Sequence, residues 1–266
     1  MFSNKNENWL LATAGITEGP LRDASVRLLN QAREFKEFSA FVQITEDNIH
    51  ETCPATFAAY GDFLNKETRG YGYYAWKAEV IHRCLQGAFG ECDGVVWIDA
   101  GCEMNINLLS TQIMGRIFNS AIKNGGWFYE IQTPEELYTK RDVIMRFPSI
   151  REIRPGNQVQ ANFFVMHGER GEELARRWKY LALEKISNLD FSPSTLGELE
   201  SFVEHRNDQS LLSVLVKSMD YQVSRFVPPS KPQSTLGTVK GLISPVWIAR
   251  NRSGDSIIPR RGRKND

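Results

Sequence analysis

Apolar positions along this chain change their period in a regular order, and that order predicts strands alternating with helices. Trp9 to Ile16 is mostly apolar and reads as an opening strand. Asp23 to Phe35 follows with Val26, Leu29 and Ala32 at helical spacing, and Ser39 to Ile44 returns to a strand. A strand, helix, strand opening implies a parallel sheet with right-handed crossovers. Residues 46–74 have no clear period and end in RGYGYYAWK, a loop leading into a helix whose stripe is Ala78, Ile81, Leu85 and Ala88, with Cys84 beside it.

The next apolar run, DGVVWIDAGCE, is the most informative. Val95, Val96, Trp97 and Ile98 have the bulk and β-branching of a strand buried on both faces. Leu109, Ile113, Ile117 and Ala121 then predict a long helix closed by Asn124, Gly125 and Gly126. Trp127 to Ile131 and Gln158 to Met166, with its run ANFFVM, read as two further strands. A helix over Glu172 to Lys185 carries Leu174, Trp178 and Leu181, and EHRNDQSLLSVLVKS forms another, capped by Asn207 or Asp208 and built on Leu211, Leu212, Leu215 and Val216. The predicted class is α/β: a mostly parallel, Rossmann-like central sheet flanked by helices. Residues 1–226 read as one such domain, followed over 227–266 by a Pro-containing link and a basic tail.

Composition narrows the partners. Lys plus Arg and Asp plus Glu number 32 each among 266 residues, so no protein-wide positive field points to nucleic acid. Cys53, Cys84, Cys92 and Cys102 form no CxxC pair, and MFSNKNENWLL has too short an apolar core for a signal peptide, which together predict a cytoplasmic protein. No apolar run approaches the roughly 20 residues that span a bilayer. Arg250, Arg252, Arg260, Arg261, Arg263 and Lys264 stand among Gly, Ser and Pro, which reads first as a solvated, disordered tail; any membrane contact would be peripheral and would run through these cations.

The candidate chemistry begins at Asp99. A carboxylate at the C-terminal mouth of a buried strand stands where open α/β sheets place their ligands, and it must be paired, capped or metal-bound to offset desolvation. Asp99 could hold a divalent cation or a sugar hydroxyl, or it could form an Asx-turn or cap the next helix. Ala100 and Gly101 keep bulk away from that edge, and Glu103 could complete the site. Arg69 and Lys77 flank a Gly and aromatic segment, where the cations could neutralise a diphosphate while Tyr71, Tyr73, Tyr74 or Trp76 stacks on a base. Gly70 and Gly72 do not complete a GxGxxG fingerprint. His205, Asp208 and Gln209 precede an apolar helix and could converge on the same cleft, and Asn162 could face a substrate hydroxyl.

Taken in order, RGYGYYAWKAEVI, VVWIDAGCE, ANFFVMHG and HRNDQSLLS resemble the signature of GT-A-fold glycosyltransferases that use nucleotide sugars. They are most similar to small bacterial enzymes of cell-surface polysaccharide assembly with a GYxxWKxxxI segment followed by a strand ending in Asp-Ala-Gly. The resemblance spans residues 8–226. It implies a nucleotide-sugar donor, with a UDP-sugar favoured, and a glycan or lipid-linked acceptor. It also implies that Arg69, Trp76, Lys77, Asp99, Ala100, Gly101 and Asn162 bind the donor, and that Asp208 and Gln209 lie at the reacting carbon. The family's usual Asp-x-Asp holds Mn²⁺ or Mg²⁺ against the diphosphate, but here Gly101 replaces the second acid. Either Glu103 or His205 joins Asp99 as a metal ligand, or Lys77 and neighbouring Arg residues carry more of the phosphate charge.

Two other readings share these residues. VVWIDAGCE also resembles the strand-Asp-x-Gly-Cys-Gly turn of methyltransferases that bind S-adenosylmethionine, with Glu103 where the last glycine belongs. A protein that binds nucleotide sugars or glycans without turnover is the other.

Overall fold

The computed structural model describes residues 7–148, 156–230 and 243–256. Its strands are β1 (Trp9–Ala14), β2 (Phe38–Ile44), β3 (Gly94–Ile98), β4 (Glu103–Met104), β5 (Gly126–Pro134), β6 (Asn157–Val159), β7 (Phe163–His167), β8 (Val223–Ser224) and β9 (Val246–Trp247). Seven of them form one sheet in the order β2-β1-β3-β7-β5-β6, with β8 paired to β5. β1 is parallel to both β2 and β3, and β8 is parallel to β5; β7 lies antiparallel between β3 and β5, and β6 is antiparallel to β5. The α/β, Rossmann-like organisation expected from the sequence is present, and its parallel opening is the β2-β1-β3 half.

Five longer helices cover the sheet: α1 (Pro20–Ala32), α2 (Ala75–Leu85), α3 (Leu108–Asn124), α4 (Gly168–Glu184) and α5 (Asn207–Ser218). Alternation along β3 explains the two cores. Val95 and Trp97 pack with Ala78, Ile81, Leu174, Trp178 and Leu211 from α2, α4 and α5. Val96 and Ile98 pack with Leu28, Leu29, Met114, Ile117 and Phe118 from α1 and α3 on the opposite face. Each large apolar side chain so buried contributes about 2 kcal/mol, so the strand ending at Asp99 is held rigidly on both sides. Among the described residues no helix is long and apolar enough to cross a membrane.

Several local expectations shift. In α1 the buried face runs through Ala24, Leu28 and Ala32, and Val26 is 44% exposed. α2 ends at Leu85, short of Ala88, and buries Lys77, Glu79 and His82 as well as its apolar stripe. α3 starts one residue earlier than Leu109, which is exposed; Asn107 caps it by accepting the Leu109 and Ser110 N–H groups, each at 3.0 Å. Gln158 to Met166 is two strands, because the Ala161 and Asn162 carbonyls turn away to accept from Lys77 Nζ (3.4 Å) and the Asp99 N–H (2.8 Å). Neither Asn207 nor Asp208 caps α5: Asn207 Nδ2 donates to the Leu189 carbonyl at 2.6 Å, and Asp208 is drawn to Lys77.

The stretch read as a link and tail does not all leave the domain. β9 pairs antiparallel with β4, matching Glu103 with Trp247 and Met104 with Val246. The Asn105 N–H donates to the Pro245 carbonyl, and Val246, Trp247 and Ala249 are buried. Arg260, Arg261, Arg263 and Lys264 lie outside the described residues.

Candidate functional site

Three chain ends meet at one edge of the sheet: the residue after β3 (Asp99), the first turn of α2 (Lys77) and the first turn of α5 (Asp208). They line a cavity of 990 Å³ together with Arg69, Tyr71, Tyr74, Trp76, Ala100, Gly101, Asn162, Arg206 and Gln209. That volume suits a sizeable polar ligand. Lys77 Nζ stands 2.8 Å from Asp208 Oδ2 and 3.4 Å from Asp99 Oδ1. Burial pulls the pKa of this ammonium down, but the Asp208 and Asp99 carboxylates outweigh it and hold the lysine above its ordinary value. Burial also raises Asp208 above its ordinary value, with the Lys77 charge opposing it.

Asp99 is not sealed in. Its side chain is 44% exposed on the cavity wall. Trp97 Nε1 donates to Oδ1 at 2.6 Å, so that oxygen serves both Trp97 and Lys77, while Oδ2 has no partner among the described residues. Asn162 is oriented similarly: the Tyr129 hydroxyl, kept protonated chiefly by burial, donates to Asn162 Oδ1 at 2.6 Å. The amide N–H groups of Asn162 thus remain for a ligand. Gln209 Nε2 donates to Gln158 Oε1 at 2.7 Å.

The RGYGYY segment forms an unusual turn. Gly70, Tyr71, Gly72, Tyr73 and Tyr74 all have positive φ, from 55 to 94°. Three of these are tyrosines, in a left-handed region that ordinary L-residues avoid at about 1–2 kcal/mol each. The turn is held by the Tyr73 N–H on the Arg69 carbonyl (2.7 Å) and by Trp76 Nε1 on the Gly70 carbonyl (3.0 Å). It sets the half-buried Tyr71 and Tyr74 on the cavity wall. Trp76 is only 2% exposed and packs near Tyr74 and Trp97, so the tyrosines, not the tryptophan, offer faces for stacking. Arg69 lies at the rim, 3.5 Å from Glu204 and over the Phe191 ring.

Two expected metal ligands are elsewhere. Glu103 is fully buried beneath the C-terminal segment, accepting from Asn251 Nδ2 at 2.6 Å and from the Ser256 hydroxyl at 2.5 Å. His205 is 1% exposed, and both ring nitrogens are committed: Nε2 to the Asn188 carbonyl (2.8 Å) and Nδ1 to the Lys140 N–H (3.2 Å). Neither lines the cavity. The remaining carboxylates there that approach one another, Asp99 and Asp208, share a lysine ammonium between them. Among the described residues no group of three or more His, Cys, Asp or Glu side chains is arranged to hold a metal ion. The residues present do not fit Mn²⁺ or Mg²⁺ in the expected place.

Sequence reasoning assigned Arg250 and Arg252 to a tail, yet both line the cavity. The signal that could have placed them is the apolar run Val246, Trp247, Ile248, Ala249 immediately before, which reads as a short strand.

No family model matches this chain, and no curated protein matches it. Among solved structures, mouse xyloside xylosyltransferase 1 in its apo form is similar over 90% of this chain and 97% of that one, with a TM-score of 0.44 and 10% sequence identity.

Proposed function

We propose that this chain is a GT-A-like glycosyltransferase, moving a sugar from a nucleotide-sugar donor, a UDP-sugar in the first instance, to a glycan or lipid-linked acceptor. The observation that carries the reading is the meeting of Asp99, Lys77 and Asp208 at the C-terminal edge of β3, inside a cavity rimmed by arginines. Breaking the bond between the anomeric carbon and the phosphate oxygen leaves positive charge on the sugar and negative charge on the departing diphosphate. Such a site needs a carboxylate on one side and cations on the other.

In this reading Asp99 Oδ2 and the Asn162 amide take hydroxyl groups of the donor, and Tyr71 or Tyr74 stacks on its base. Asp208 faces the anomeric carbon. There it either supports the cationic sugar or, its pKa raised by burial, accepts the proton of the acceptor hydroxyl as the new C–O bond forms. Lys77 holds Asp99 and Asp208 at a fixed separation and prevents their mutual repulsion. Surface polysaccharide assembly at the cytoplasmic face of a membrane is the proposed setting.

Incubation with a panel of nucleotide sugars and glycan or lipid-linked acceptors tests it, read as nucleoside diphosphate released. Donor binding without release across the panel would favour a non-catalytic binder. Thermal stabilisation by S-adenosylmethionine and by no nucleotide sugar would favour the methyltransferase reading.

A further inference from the structure

The returning C-terminal segment carries two cations to the place where the expected metal has no ligands. The Asn251 N–H donates to the Gly101 carbonyl at 2.9 Å, and a Cβ on Gly101 would lie 3.4 Å from Arg250 Cα. The space beside Gly101, where a second acid would project, thus faces the backbone of Arg250. From beneath, the buried Arg27 guanidinium donates to the Ala100, Cys102 and Asn251 carbonyls at 3.0, 3.0 and 3.2 Å, and also to the Ser253 carbonyl. One buried side chain therefore ties the loop after β3 to the C-terminal segment. Arg250 itself adopts φ 50°, a conformation retained only where its surroundings fix it.

The charges at the cavity are unevenly committed. Lys77 is shared by two carboxylates, and Arg69 and Arg206 both lie near Glu204, at 3.5 and 3.6 Å. Arg250 and Arg252 are exposed and have no ion pair among the described residues. Guanidinium groups match phosphate oxygens in geometry and remain charged at any physiological pH.

Resting on the proposed function, we infer that Arg250 and Arg252 bind the diphosphate of the donor in place of a divalent cation, so that the nucleoside diphosphate moiety binds without metal. The C-terminal segment is then part of the donor site, and Gly101, which stands where an Asp-x-Asp motif has its second acid, shares the cavity wall with two arginines.

Calorimetric titration of the full chain with UDP, ADP, GDP, CDP and uridine, in excess EDTA and then in Mn²⁺, tests this. The expected result is a nucleoside diphosphate affinity in EDTA within about twofold of that in Mn²⁺. The double variant Arg250→Asn, Arg252→Gln should weaken that affinity at least about tenfold and leave uridine binding unchanged. Asparagine is chosen because it tolerates the left-handed backbone. Diphosphate binding that appears only with Mn²⁺, or that the double variant leaves intact, overturns the inference and spares the glycosyltransferase reading. If none of the four diphosphates binds under either condition, both fall together.

Discussion

Lys77 Nζ and Asp208 Oδ2 lie 2.8 Å apart with both side chains withdrawn from solvent, the lysine 4% and the aspartate 9% exposed. An ion pair in that setting fixes two helix starts against each other, since Lys77 begins α2 and Asp208 begins α5. Lys77→Met removes the shared cation and leaves Asp208 buried without its partner. The expected loss of stability is about 3–5 kcal/mol, read from the urea midpoint. Lys77→Met, Asp208→Asn together should recover much of it, because the stranded charge is gone; a double variant no more stable than the single one would contradict this account of the pair.

In the proposed transfer, Asp99 and Asp208 should separate kinetically. Asp99→Asn keeps the shape at the end of β3 and removes the charge from the oxygen without a protein partner. It is expected to lower kcat/KM at least about a hundredfold, in both terms. Asp208→Asn should lower kcat by a similar factor with donor KM changed less than about threefold, because the proposed mechanism needs its charge most as the sugar becomes cationic. Steady-state rates on the donor identified by the panel check both, and an Asp99→Asn enzyme of full activity would remove the central assignment.

His205 gives a prediction for stability rather than activity. Burial is the main cause that lowers its pKa from 6.5 to about 4, against the pull of the Asn188 carbonyl. The unfolded chain takes up a proton at this ring near pH 6.5 and the folded protein does not until about pH 4. The contribution is therefore fully present above pH 6.5 and is lost as pH falls from 6.5 towards 4, amounting to about 3 kcal/mol. Denaturant titrations at pH 7 and 4.5, compared between the native chain and His205→Gln, should show a flatter acid slope in the variant. A ring proton resonance titrating above pH 6 would refute the assignment of His205 as a neutral, buried structural group.

Arg27 ties the C-terminal segment down and can be tested apart from any ligand. Arg27→Met leaves the carbonyls of Ala100 and Cys102 without that donor, at an expected cost of about 3 kcal/mol. Amide exchange at Val246 and Trp247 should accelerate while the β1 and β3 amides stay protected. Unchanged exchange in β9 would mean that its pairing with β4, not Arg27, secures the segment.

How much of this could be read in the chain depends on the distance over which the signal acts. Runs such as Val95 to Ile98 and periods such as Leu174, Trp178, Leu181 report local burial, and they placed β3 and α4 within a few residues. Asp99, Lys77, Asp208 and Asn162 each carry a chemical signal in the sequence, and the fold brings them to one cavity. The errors came from partners distant in sequence. Asn207 and Asp208 look like caps until Leu189 and Lys77 are beside them, and Glu103 looks like a ligand until Asn251 returns to it across 148 positions. His205 beside Asp208 suggests one site, yet on either side of Arg206 and Asn207 the two side chains point to different neighbours, because Asn207 has a positive φ of 46° where the chain enters α5.

Gly101→Asp tests the diphosphate role of Arg250 and Arg252 most severely, because it creates an acid-x-acid spacing that the segment Asp99-Ala100-Gly101 lacks. A Cβ at Gly101 meets Arg250 Cα at 3.4 Å, an ordinary contact, so the substitution is accommodated without moving the backbone. The new carboxylate then shares the cavity wall with Arg250 and Arg252 and competes with the diphosphate for them. It does not join a metal site, since the Lys77 ammonium already lies 3.4 Å from Asp99 Oδ1 and 2.8 Å from Asp208 Oδ2 and repels a second cation there. We expect nucleoside diphosphate affinity to fall about fivefold or more in EDTA, with no recovery on adding Mn²⁺, whereas Gly101→Ala should bind within about twofold of the native chain. If Gly101→Asp instead gains Mn²⁺-dependent affinity, the cavity accepts a divalent ion after all, and Arg250 and Arg252 do not stand in its place.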